Sequence, residues 1–325
     1  MRLTNRPPRV AFQGEPGAFS EEAARRLFGE GVATLPCPTF TAAFQALRNH
    51  GVGALVVPLE NSLAGSVLPV YDLLRANAFW IQAETILPIE HHLIGCRGAS
   101  LAQVRSVESH PMALAQCESF LGAHPEWKRM GAEDTAGSVR EVVAGGDPTR
   151  AAIAGERAAK RYGGVVLARN IQDNAGNFTR FVLLSRRRQG VPGADKMTLA
   201  IRLAHRPGAL LAALEPFARH GVNLLKIESR PIHGCPWEYL FFIDVAAGSR
   251  KPLEAALREL RRLAQEVRVL GLYRAASARV GDDPMAQGAG VIWVPRTQSF
   301  PRKRESSSST PRFQGLSSGF PLSRE

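Results

Sequence analysis

The chain has 325 residues, a hydrophobic fraction of 45% and a formal net charge of +12 at pH 7. This length allows two globular domains, and this hydrophobic fraction is ordinary for a soluble protein. No apolar run approaches the roughly 18 residues of a membrane span, and no apolar region follows the basic N-terminus as it would in a signal peptide. We therefore expect a cytoplasmic protein without a membrane partner.

The positive charge comes mainly from arginine, which outnumbers lysine 35 to 6. An excess of basic residues is one mark of nucleic-acid-binding proteins. Here the basic residues are scattered, and neither a zinc-finger spacing nor an aromatic–basic RNA motif accompanies them. The composition therefore favours a solvated, arginine-rich surface and a site that attracts an anion, without a nucleic-acid partner.

The cysteines and histidines lack the spacing of metal sites. The four cysteines lie far apart and include no Cys-x-x-Cys pair, which favours free thiols in a reducing compartment. His91 and His92 are adjacent, so on a strand they would face opposite sides and could not ligate one metal. We expect no metal site.

Predicted strands and helices alternate over residues 10–185, which indicates α/β layers. The predicted strands are 10–13, 53–58, 81–87, 89–96, 104–109, 151–154 and 165–168, with another beginning at Phe181; the predicted helices are 20–29, 41–50, 67–76, 112–122, 136–144 and 155–162.

The first helix follows a turn that contains two glycines. Ser20 is predicted to cap this helix, with Glu21 and Glu22 in its first turn. A helix N-terminus attracts carboxylates, but the turn has neither the dinucleotide fingerprint nor the lysine of a P-loop. A simple cap and a carboxylate-binding turn both remain open.

Four polar segments, 58–66, 109–111, 134–138 and 170–180, are predicted at the ends of strands. Open α/β sheets bind ligands at the carboxyl ends of their strands, so these segments are expected to converge on one cleft. The segment Asn170–Phe181 is rich in neutral amides, which hold oxygen atoms without adding charge. The alternative is an Asx-rich turn before a strand.

After a linker at 186–196, a second pattern begins. Strands are predicted at 197–204, 223–230, 237–246 and 266–273, with one helix from Pro207 to about His220 and another at 251–264. This is the ferredoxin-like βαββαβ order, and sheets of this kind often pair side by side. Residues 281–325 are rich in serine and lack apolar periodicity, which predicts a disordered tail.

Several of these segments resemble, in the same order, the signature segments of prephenate dehydratase. They are Pro58-Leu59-Glu60-Asn61-Ser62, Ser109-His110-Pro111, Asp134-Thr135-Ala136-Gly137-Ser138 and Asn177-Phe178-Thr179-Arg180-Phe181. The second domain resembles an ACT regulatory domain. Two departures are Met112, where the family often has glutamine, and Ala246-Ala247-Gly248, which replaces a more polar segment.

The resemblance implies a two-lobed α/β catalytic region at 9–186, like a periplasmic binding protein, and a ferredoxin-like ACT domain at 197–274. It implies decarboxylating dehydration of prephenate to phenylpyruvate without a cofactor, in a homodimer or homotetramer inhibited by phenylalanine. Some family members carry an N-terminal chorismate mutase domain. Because the first strand begins by Arg9, we expect a monofunctional enzyme.

The resemblance also implies the catalytic residues. Thr179 is expected to act on the leaving hydroxyl; a threonine is a poor acid, so we expect it to donate a hydrogen bond or relay a proton. Arg180 either holds a carboxylate with its planar fork or braces the loop. Glu60 is either a protonated acid or a structurally paired carboxylate, and His110 is a further candidate acid.

The binding residues follow from the same motifs. For the substrate they are Asn61, Ser62, Thr135, Asn177, Ser20 and Phe181, although each polar residue has an alternative role as a cap or turn residue and Phe181 is also expected to pack the loop. For phenylalanine they are Gly208, Ala209, Leu210, Glu228, Ser229, Arg230 and Pro231, the first at a helix N-terminus that would favour a carboxylate. Alternatively, residues 228–231 bind no ligand and simply end an edge strand.

Two other functions remain compatible with the sequence. Arogenate dehydratase uses the same scaffold on an aminated substrate. A non-catalytic amino-acid sensor would combine the same lobes with an ACT domain, but the Thr179 loop favours an enzyme.

Overall fold

The computed structural model describes residues 8–232, 234–246, 248 and 250–276. The predicted tail at 281–325 lies outside the described residues. No helix in the described part of the chain is long and apolar enough to cross a membrane.

Strands and helices alternate through most of the described chain. The strands are β1 (Val10–Gln13), β2 (Thr34–Cys37), β3 (Ala54–Asn61), β4 (Gly65–Ser66), β5 (Trp80–Pro88), β6 (His92–Gly95), β7 (Ser106–Ser109), β8 (Lys128–Gly131), β9 (Arg150–Ala154), β10 (Val165–Ala168), β11 (Phe178–Ser185), β12 (Lys196–Arg202), β13 (Leu224–Ile232), β14 (Cys235–Ala246) and β15 (Glu266–Tyr273). The helices are α1 (Phe19–Phe28), α2 (Phe40–Arg48), α3 (Leu68–Ala76), α4 (Pro111–Ala115), α5 (Glu118–Gly122), α6 (Thr135–Gly145), α7 (Glu156–Tyr162), α8 (Ala209–Arg219) and α9 (Arg250–Leu263).

Two sheets form the two lobes of the N-terminal region. The first lobe has the strand order β5-β11-β3-β1-β2, and the second has β10-β6-β9-β7-β8. Strand β3 is buried on both faces: Ala54 and Val56 pack in the cluster that contains α1, whereas Leu55 and Val57 pack in the cluster that contains α2 and α3. The chain crosses between the lobes at 89–91 and 169–177, and these two crossings form a hinge.

The second domain has the predicted βαββαβ order, from β12 through α8, β13, β14 and α9 to β15. Its sheet order is β13-β14-β12-β15, and α8 and α9 pack over one face. Leu199, Ile201, Ile243 and Val245 on the strands pack with Leu253 and other apolar residues of the helices in one core. The ferredoxin-like prediction is therefore confirmed.

The sheet of the second domain continues into the first lobe. Strand β15 lies beside β5, where Gly271 pairs with Ile81. A Cβ atom on Gly271 would lie 2.5 Å from the carbonyl oxygen of Ile81, so only glycine permits this approach. The result in the described residues is one ten-stranded sheet that runs from β13 to β2.

Several predicted boundaries are wrong, each for a local reason. Helix α1 begins at Phe19 with Ala18 at the N-cap, not with Ser20. No side chain caps this helix; instead the Glu21 carboxylate reaches back and accepts a hydrogen bond of 2.7 Å from the backbone N–H of Gly17 in the preceding turn. Helix α8 begins at Ala209 and not at Pro207, because Gly208 adopts a left-handed conformation with φ of 75°.

The other differences concern short elements. The predicted helix 112–122 is two helices, α4 and α5, interrupted at Cys117, which has φ of −121°. Sequence patterns do not predict β2, which contains Pro36, or β8, which is mostly exposed. Strand β3 runs on to Asn61, so three residues predicted in a loop, Leu59, Glu60 and Asn61, lie on a rigid strand.

Candidate active site

A β-bulge determines which way the signature residues face. Phe181 pairs with Pro58 and Arg180 pairs with Glu60, so Leu59 is an extra residue in β3. A bulge shifts the following side chains to the opposite face of the strand. Asn61 is therefore brought opposite Thr179 on one face of the sheet, and Glu60 opposite Arg180 on the other.

Thr179 is the last member of a hydrogen-bonded series that we call the polar chain, made of His91, Gln116, Asn177, Asn61 and Thr179. Asn61 Nδ2 donates to Thr179 Oγ1 at 2.9 Å and to Asn177 Oδ1 at 2.7 Å. Asn177 Nδ2 donates to Gln116 Oε1 at 3.0 Å, and His91 Nε2 lies 3.0 Å from the same oxygen. The polar chain thus ties both lobes to the hinge.

Two backbone groups determine the direction of every bond in the polar chain. The N–H groups of Leu63 and Ala64 donate to Asn61 Oδ1 at 3.0 and 2.8 Å. Asn61 must therefore present its NH₂ group to Thr179, and Asn177 must present its own NH₂ group to Gln116. The Thr179 oxygen accepts a hydrogen bond, which leaves its hydroxyl hydrogen free to donate.

The same argument assigns the protonation of His91. Because Gln116 Oε1 can only accept, His91 Nε2 must carry a hydrogen. His91 is 2% exposed and its Nδ1 atom has no hydrogen-bond partner in the described structure. Burial lowers the pKa of His91 below its usual range, although the hydrogen bond to Gln116 acts in the opposite direction. His91 is thus a neutral donor.

Sequence reasoning missed Gln116 and the role of His91. Gln116 follows the apolar residues Ala113–Ala115 and lies where helix α4 ends. An uncharged amide directly after an apolar run was the available signal. The contact with Asn177 spans 61 residues of sequence, and no local pattern encodes it.

Ser62 fixes the loop that precedes β11. Its Oγ donates to the carbonyl of Gly176 at 2.7 Å and accepts from the backbone N–H of Phe178 at 2.9 Å. Asn177, which is 1% exposed, holds the same loop through its carbonyl, which accepts from Ile89 N–H at 2.8 Å. Both residues therefore position Thr179 as well as being candidates for substrate contact.

Ser20 and Thr135 lie at the starts of α1 and α6, one in each lobe. Asp134, not Thr135, caps α6, since its carboxylate accepts from Gly137 N–H at 2.6 Å. An ion pair of 2.8 Å between Glu15, which precedes α1, and Arg140 of α6 holds the two helices near one another. Within the described residues, neither Ser20 nor Thr135 is hydrogen bonded to the polar chain.

Arg180 and Glu60 face away from the polar chain. The Arg180 guanidinium lies 2.8 Å from the Asp244 carboxylate, 3.0 Å from Glu84 and 3.3 Å from Glu60. Burial acts against its charge, but the carboxylates of Asp244 and Glu84 help to keep the pKa of Arg180 above its ordinary value. Glu60 is also paired with Lys226, at 2.8 Å. The structure thus places both residues against the second domain.

Two other candidates also lie apart from the polar chain. Phe181 is 2% exposed and packs in the core with Leu87 and Leu183, so it supports the strand from behind. His110 caps α4, where its Nδ1 accepts from Met112 N–H at 3.1 Å.

The predicted phenylalanine residues occupy two places. Gly208, Ala209 and Leu210 form the start of α8. Along β13, Glu228 and Arg230 point toward the first lobe, where they contact Ser66 at 2.5 Å and Asp72 at 2.8 Å. Ser229 and Pro231 point the other way and are exposed.

A cavity of about 820 Å³ lies between the lobes, but none of the polar-chain residues lines it. Charged residues of both signs line it, among them Glu21, Arg25, Glu156 and Lys160. These charges already pair locally, as in the 2.7 Å contacts of Arg25 with Glu21 and of Lys160 with Glu156. We therefore place the candidate active site at the polar chain.

The fold and the site define a two-lobed α/β protein with a ferredoxin-like second domain. Beside its hinge lies a threonine that accepts a hydrogen bond from an asparagine side chain. Residues 10–189 match the family described as prephenate dehydratase, and residues 197–265 match the ACT domain. The chain belongs to the prephenate dehydratase family, and it is a lyase of the dehydratase type.

Relatives and solved structures with high similarity cover most of the chain. A bifunctional chorismate mutase/prephenate dehydratase of Neisseria gonorrhoeae is 37% identical over 83% of this chain and 75% of its own. Arogenate dehydratase/prephenate dehydratase 1 of Arabidopsis thaliana, a chloroplastic protein, is 39% identical over 82% of this chain and 71% of its own.

Two solved structures share the fold with a TM-score of 0.75. One is a prephenate dehydratase from Arthrobacter aurescens in complex with L-Phe, 33% identical, covering 82% of this chain and 89% of that one. The other is GqqA, described as a novel type of quorum quenching acylase, 34% identical, covering 83% of this chain and 98% of that one.

Proposed function

We propose that the chain converts prephenate to phenylpyruvate, with Thr179 as the hydrogen-bond donor to the leaving hydroxyl. The observation that carries this proposal is the orientation of the Asn61 amide. Because the Thr179 oxygen already accepts from Asn61 Nδ2, its own hydrogen is available to a substrate oxygen.

The chemistry needs little more from the protein. Loss of carbon dioxide sends an electron pair into the ring, and the ring becomes aromatic as hydroxide leaves with a proton as water. Hydrogen bonding or proton donation to the leaving oxygen contributes roughly 10²–10⁴-fold. The donated bond from Asn61 polarises the Thr179 hydroxyl and makes it a better donor. No cofactor is required.

The substrate carries two carboxylates, which need donors. We place one near the start of α6, where Thr135 is half-buried and the helix N-terminus favours an anion. Ser20 at the start of α1 is the corresponding candidate in the first lobe, and the contact between Glu15 and Arg140 joins the start of α1 to the middle of α6. Asn61, Ser62 and Asn177 complete the proposed substrate site.

We assign Arg180 and Glu60 to support and not to substrate contact. Both are already paired on the opposite face of the sheet, and the Arg180 guanidinium is almost fully buried among carboxylates. Their part in the reaction is therefore indirect, through the strands that carry Thr179 and Asn61.

The test is the formation of phenylpyruvate from prephenate by the native chain, Thr179→Val and Thr179→Ser. Valine keeps the shape and strand preference of threonine but has no hydroxyl, so we expect kcat to fall by roughly 10²–10⁴-fold with an unchanged circular dichroism spectrum. Serine keeps the donor and is expected to retain intermediate activity. Equal activity of all three proteins would show that a residue other than Thr179 donates to the leaving hydroxyl.

Arogenate is the competing substrate. It has an amino group where prephenate has a keto group, so it presents a cation to residues that would otherwise meet a carbonyl. The polar chain is neutral and offers no carboxylate to such a cation, which favours prephenate. Comparison of kcat/KM for the two substrates decides between them.

Acyl transfer is less well supported than dehydration. A hydroxyl nucleophile must give its proton to a neighbouring base. Thr179 has the NH₂ group of Asn61 as its neighbour, which is a donor, and three residues of the polar chain lie between Thr179 and His91. The polar chain is therefore built to make Thr179 donate a hydrogen bond and not to activate it for attack.

We further propose that phenylalanine inhibits the enzyme at the second domain. Gly208, with φ of 75° and open space around it, leaves the N-terminus of α8 accessible to a carboxylate. Ala209 and Leu210 begin the same helix, and the exposed residues Ser229 and Pro231 of β13 are the other candidates for ligand contact. The ring would be buried at a contact between subunits of a homodimer or homotetramer.

A further inference from the structure

Strands β3 and β11 present the candidate active site on one face and the second domain on the other. Asn61 and Thr179 join the polar chain, while the preceding and following residues, Glu60 and Arg180, pair with charges across the domain boundary. Adjacent residues on a strand share a peptide unit, so a force on the Arg180 side chain displaces the backbone that carries Thr179.

Arg180 meets the second domain through Asp244 of β14. Its Nη1 atom lies 2.8 Å from Asp244 Oδ2 and 3.0 Å from Glu84 Oε2. Arg180 is 7% exposed and Asp244 is 3% exposed. Little water screens such a pair, so the position of the carboxylate strongly influences that of the guanidinium.

The second domain fixes the position of Asp244. Thr198 of β12 donates to Asp244 Oδ1 at 2.7 Å, and the hydroxyl of Tyr273 on β15 lies 2.6 Å from Thr198 Oγ1. Lys196 lies 2.9 Å from Glu84 and 3.7 Å from Asp244. The carboxylate next to Arg180 is thus held from β12, the strand beside β14, and β12 is supported in turn by β15.

Asp244 is also connected to the strand that carries the proposed ligand segment. Lys226 of β13 pairs in register with Asp244, and its ammonium group lies 2.8 Å from Glu60. Glu60 in turn lies 3.3 Å from Arg180. Ion pairs therefore connect Asp244, Arg180, Glu60 and Lys226 in a row across the boundary, and strand pairing places Lys226 beside Asp244. The segment 228–231 begins two residues beyond Lys226 on the same strand.

The contact is held by charge and not by hydrogen-bond geometry. Arg180 Nε and Nη2 and Asp244 Oδ2 make no hydrogen bond in the described part of the chain. The guanidinium donates from Nη1 to Glu84 Oε2 at 3.0 Å, whereas its 2.8 Å pair with Asp244 rests on charge. Such a contact transmits a movement of β14 to β11.

We propose that Asp244 of the second domain is a positioning residue for Thr179 and that a ligand bound on β13 alters the reaction through the contact between Asp244 and Arg180. This inference rests on the proposed function. It adds that the second domain contributes to catalysis even without a ligand.

The experiment compares Asp244→Asn with Asp72→Asn in the full chain. Both variants remove one carboxylate charge that pairs with an arginine across the same domain boundary, since Asp72 lies 2.8 Å from Arg230. Asp72 lies on α3 and does not touch Arg180 or the polar chain in the described structure. Steady-state kcat and KM for prephenate and phenylalanine binding by calorimetry are measured for each, with circular dichroism as the check on folding.

We expect Asp244→Asn to lower kcat by roughly 10- to 100-fold with little change in KM, because a displacement of about 1 Å at a reacting group costs on the order of 10²-fold. Asp72→Asn keeps the native kcat. The effect of Asp244→Asn disappears in a Thr179→Val background and is non-additive with Arg180→Lys. Phenylalanine still binds Asp244→Asn but no longer changes its rate.

A native kcat in folded Asp244→Asn overturns the proposal. So does a loss of kcat on adding Asp244→Asn to Thr179→Val that equals the loss it causes in the native chain. Thr198→Val serves as a second, milder variant, because it removes the hydrogen bond to Asp244 and leaves every charge in place. An unchanged kcat in Thr198→Val also counts against the proposal. Failure of the proposed function would appear in the native chain as absence of prephenate turnover and is thus distinguishable.

Discussion

At the residue scale, the site depends on which atom of each amide faces which neighbour. The backbone N–H groups of Leu63 and Ala64 orient Asn61, and the remaining hydrogen bonds follow from that one orientation. Sequence motifs identify Asn61 and Thr179 as candidates, but they do not say that the two side chains touch. That contact requires the pairing of β3 with β11, which lies 118 residues away in the chain.

Replacement of Asn61 by aspartate tests this orientation. Aspartate has the same shape but no NH₂ group, so the Thr179 hydroxyl would donate to the carboxylate and not to the substrate. We expect kcat to fall by roughly 10²-fold or more, since the general-acid contribution is lost. Asn174→Asp is the matched control, because Asn174 is exposed and its Oδ1 only accepts, from Gly176 N–H at 2.7 Å. Similar activities of the two variants would contradict the orientation.

The buried histidines predict how stability depends on pH. Burial lowers the pKa of both His91 and His92. Below about pH 6.5 a histidine takes up a proton in the unfolded chain. The unfolded state then binds more protons than the folded one, so the free energy of unfolding falls as pH falls from about 6.5 toward the lowered folded pKa values.

His91→Gln should reduce this dependence, because glutamine places a donor near the position of Nε2 but does not titrate. We expect the slope of the free energy of unfolding against pH, between about pH 6.5 and 5, to decrease by up to about 1.4 kcal/mol per pH unit. Urea unfolding midpoints measured across this range give the slope. His205→Gln, at an exposed position, provides the comparison. A slope that responds equally to both substitutions would argue against a neutral His91.

At the element scale, the sequence predicts most strands and helices, but not the features that aim the side chains. Apolar runs such as Ala54–Val57 mark a buried strand without reference to the rest of the chain. The bulge at Leu59 arises only when β3 pairs with β11, so no local pattern reveals which of Glu60 and Asn61 faces the polar chain. The partners of Arg180 come from β5 and β14, and for this reason the motif alone left open whether Arg180 holds a substrate carboxylate or braces the loop.

The approach of β15 to β5 is another such feature, and it predicts the effect of Gly271→Ala. The added methyl group would lie 2.5 Å from the carbonyl oxygen of Ile81, so β15 must move away from the first lobe. We expect a loss of about 1–3 kcal/mol of stability, as for other overpacked interiors, together with a lower kcat. Chemical unfolding measures the loss of stability. Gly122→Ala, where the added carbon meets nothing within 4 Å, is the control, and equal losses would show that the approach is unimportant.

At the scale of the whole molecule, the ten-stranded sheet ends in an unpaired edge at β13. This edge carries exposed apolar residues, with Leu225 at 48% and Ile227 at 40%, and Trp237 on the adjacent β14 is 75% exposed. Exposed, apolar edge strands tend to pair with a second strand. The proposed ligand residues Ser229 and Pro231 lie on the same strand, so pairing of two β13 strands would place two ligand sites at one subunit contact.

Ile227→Lys tests whether β13 forms the subunit contact. A charged side chain on an edge strand opposes pairing, so we expect the native chain to have at least twice the mass of the variant in sedimentation equilibrium. The variant should also bind phenylalanine more weakly, because half of each ligand site would be missing. Val165→Lys introduces the same charge at a residue that is also 40% exposed, on the edge strand β10 of the other sheet. If Val165→Lys dissociates the native assembly and Ile227→Lys does not, the subunits meet at the second lobe, and the ligand site must lie within one chain.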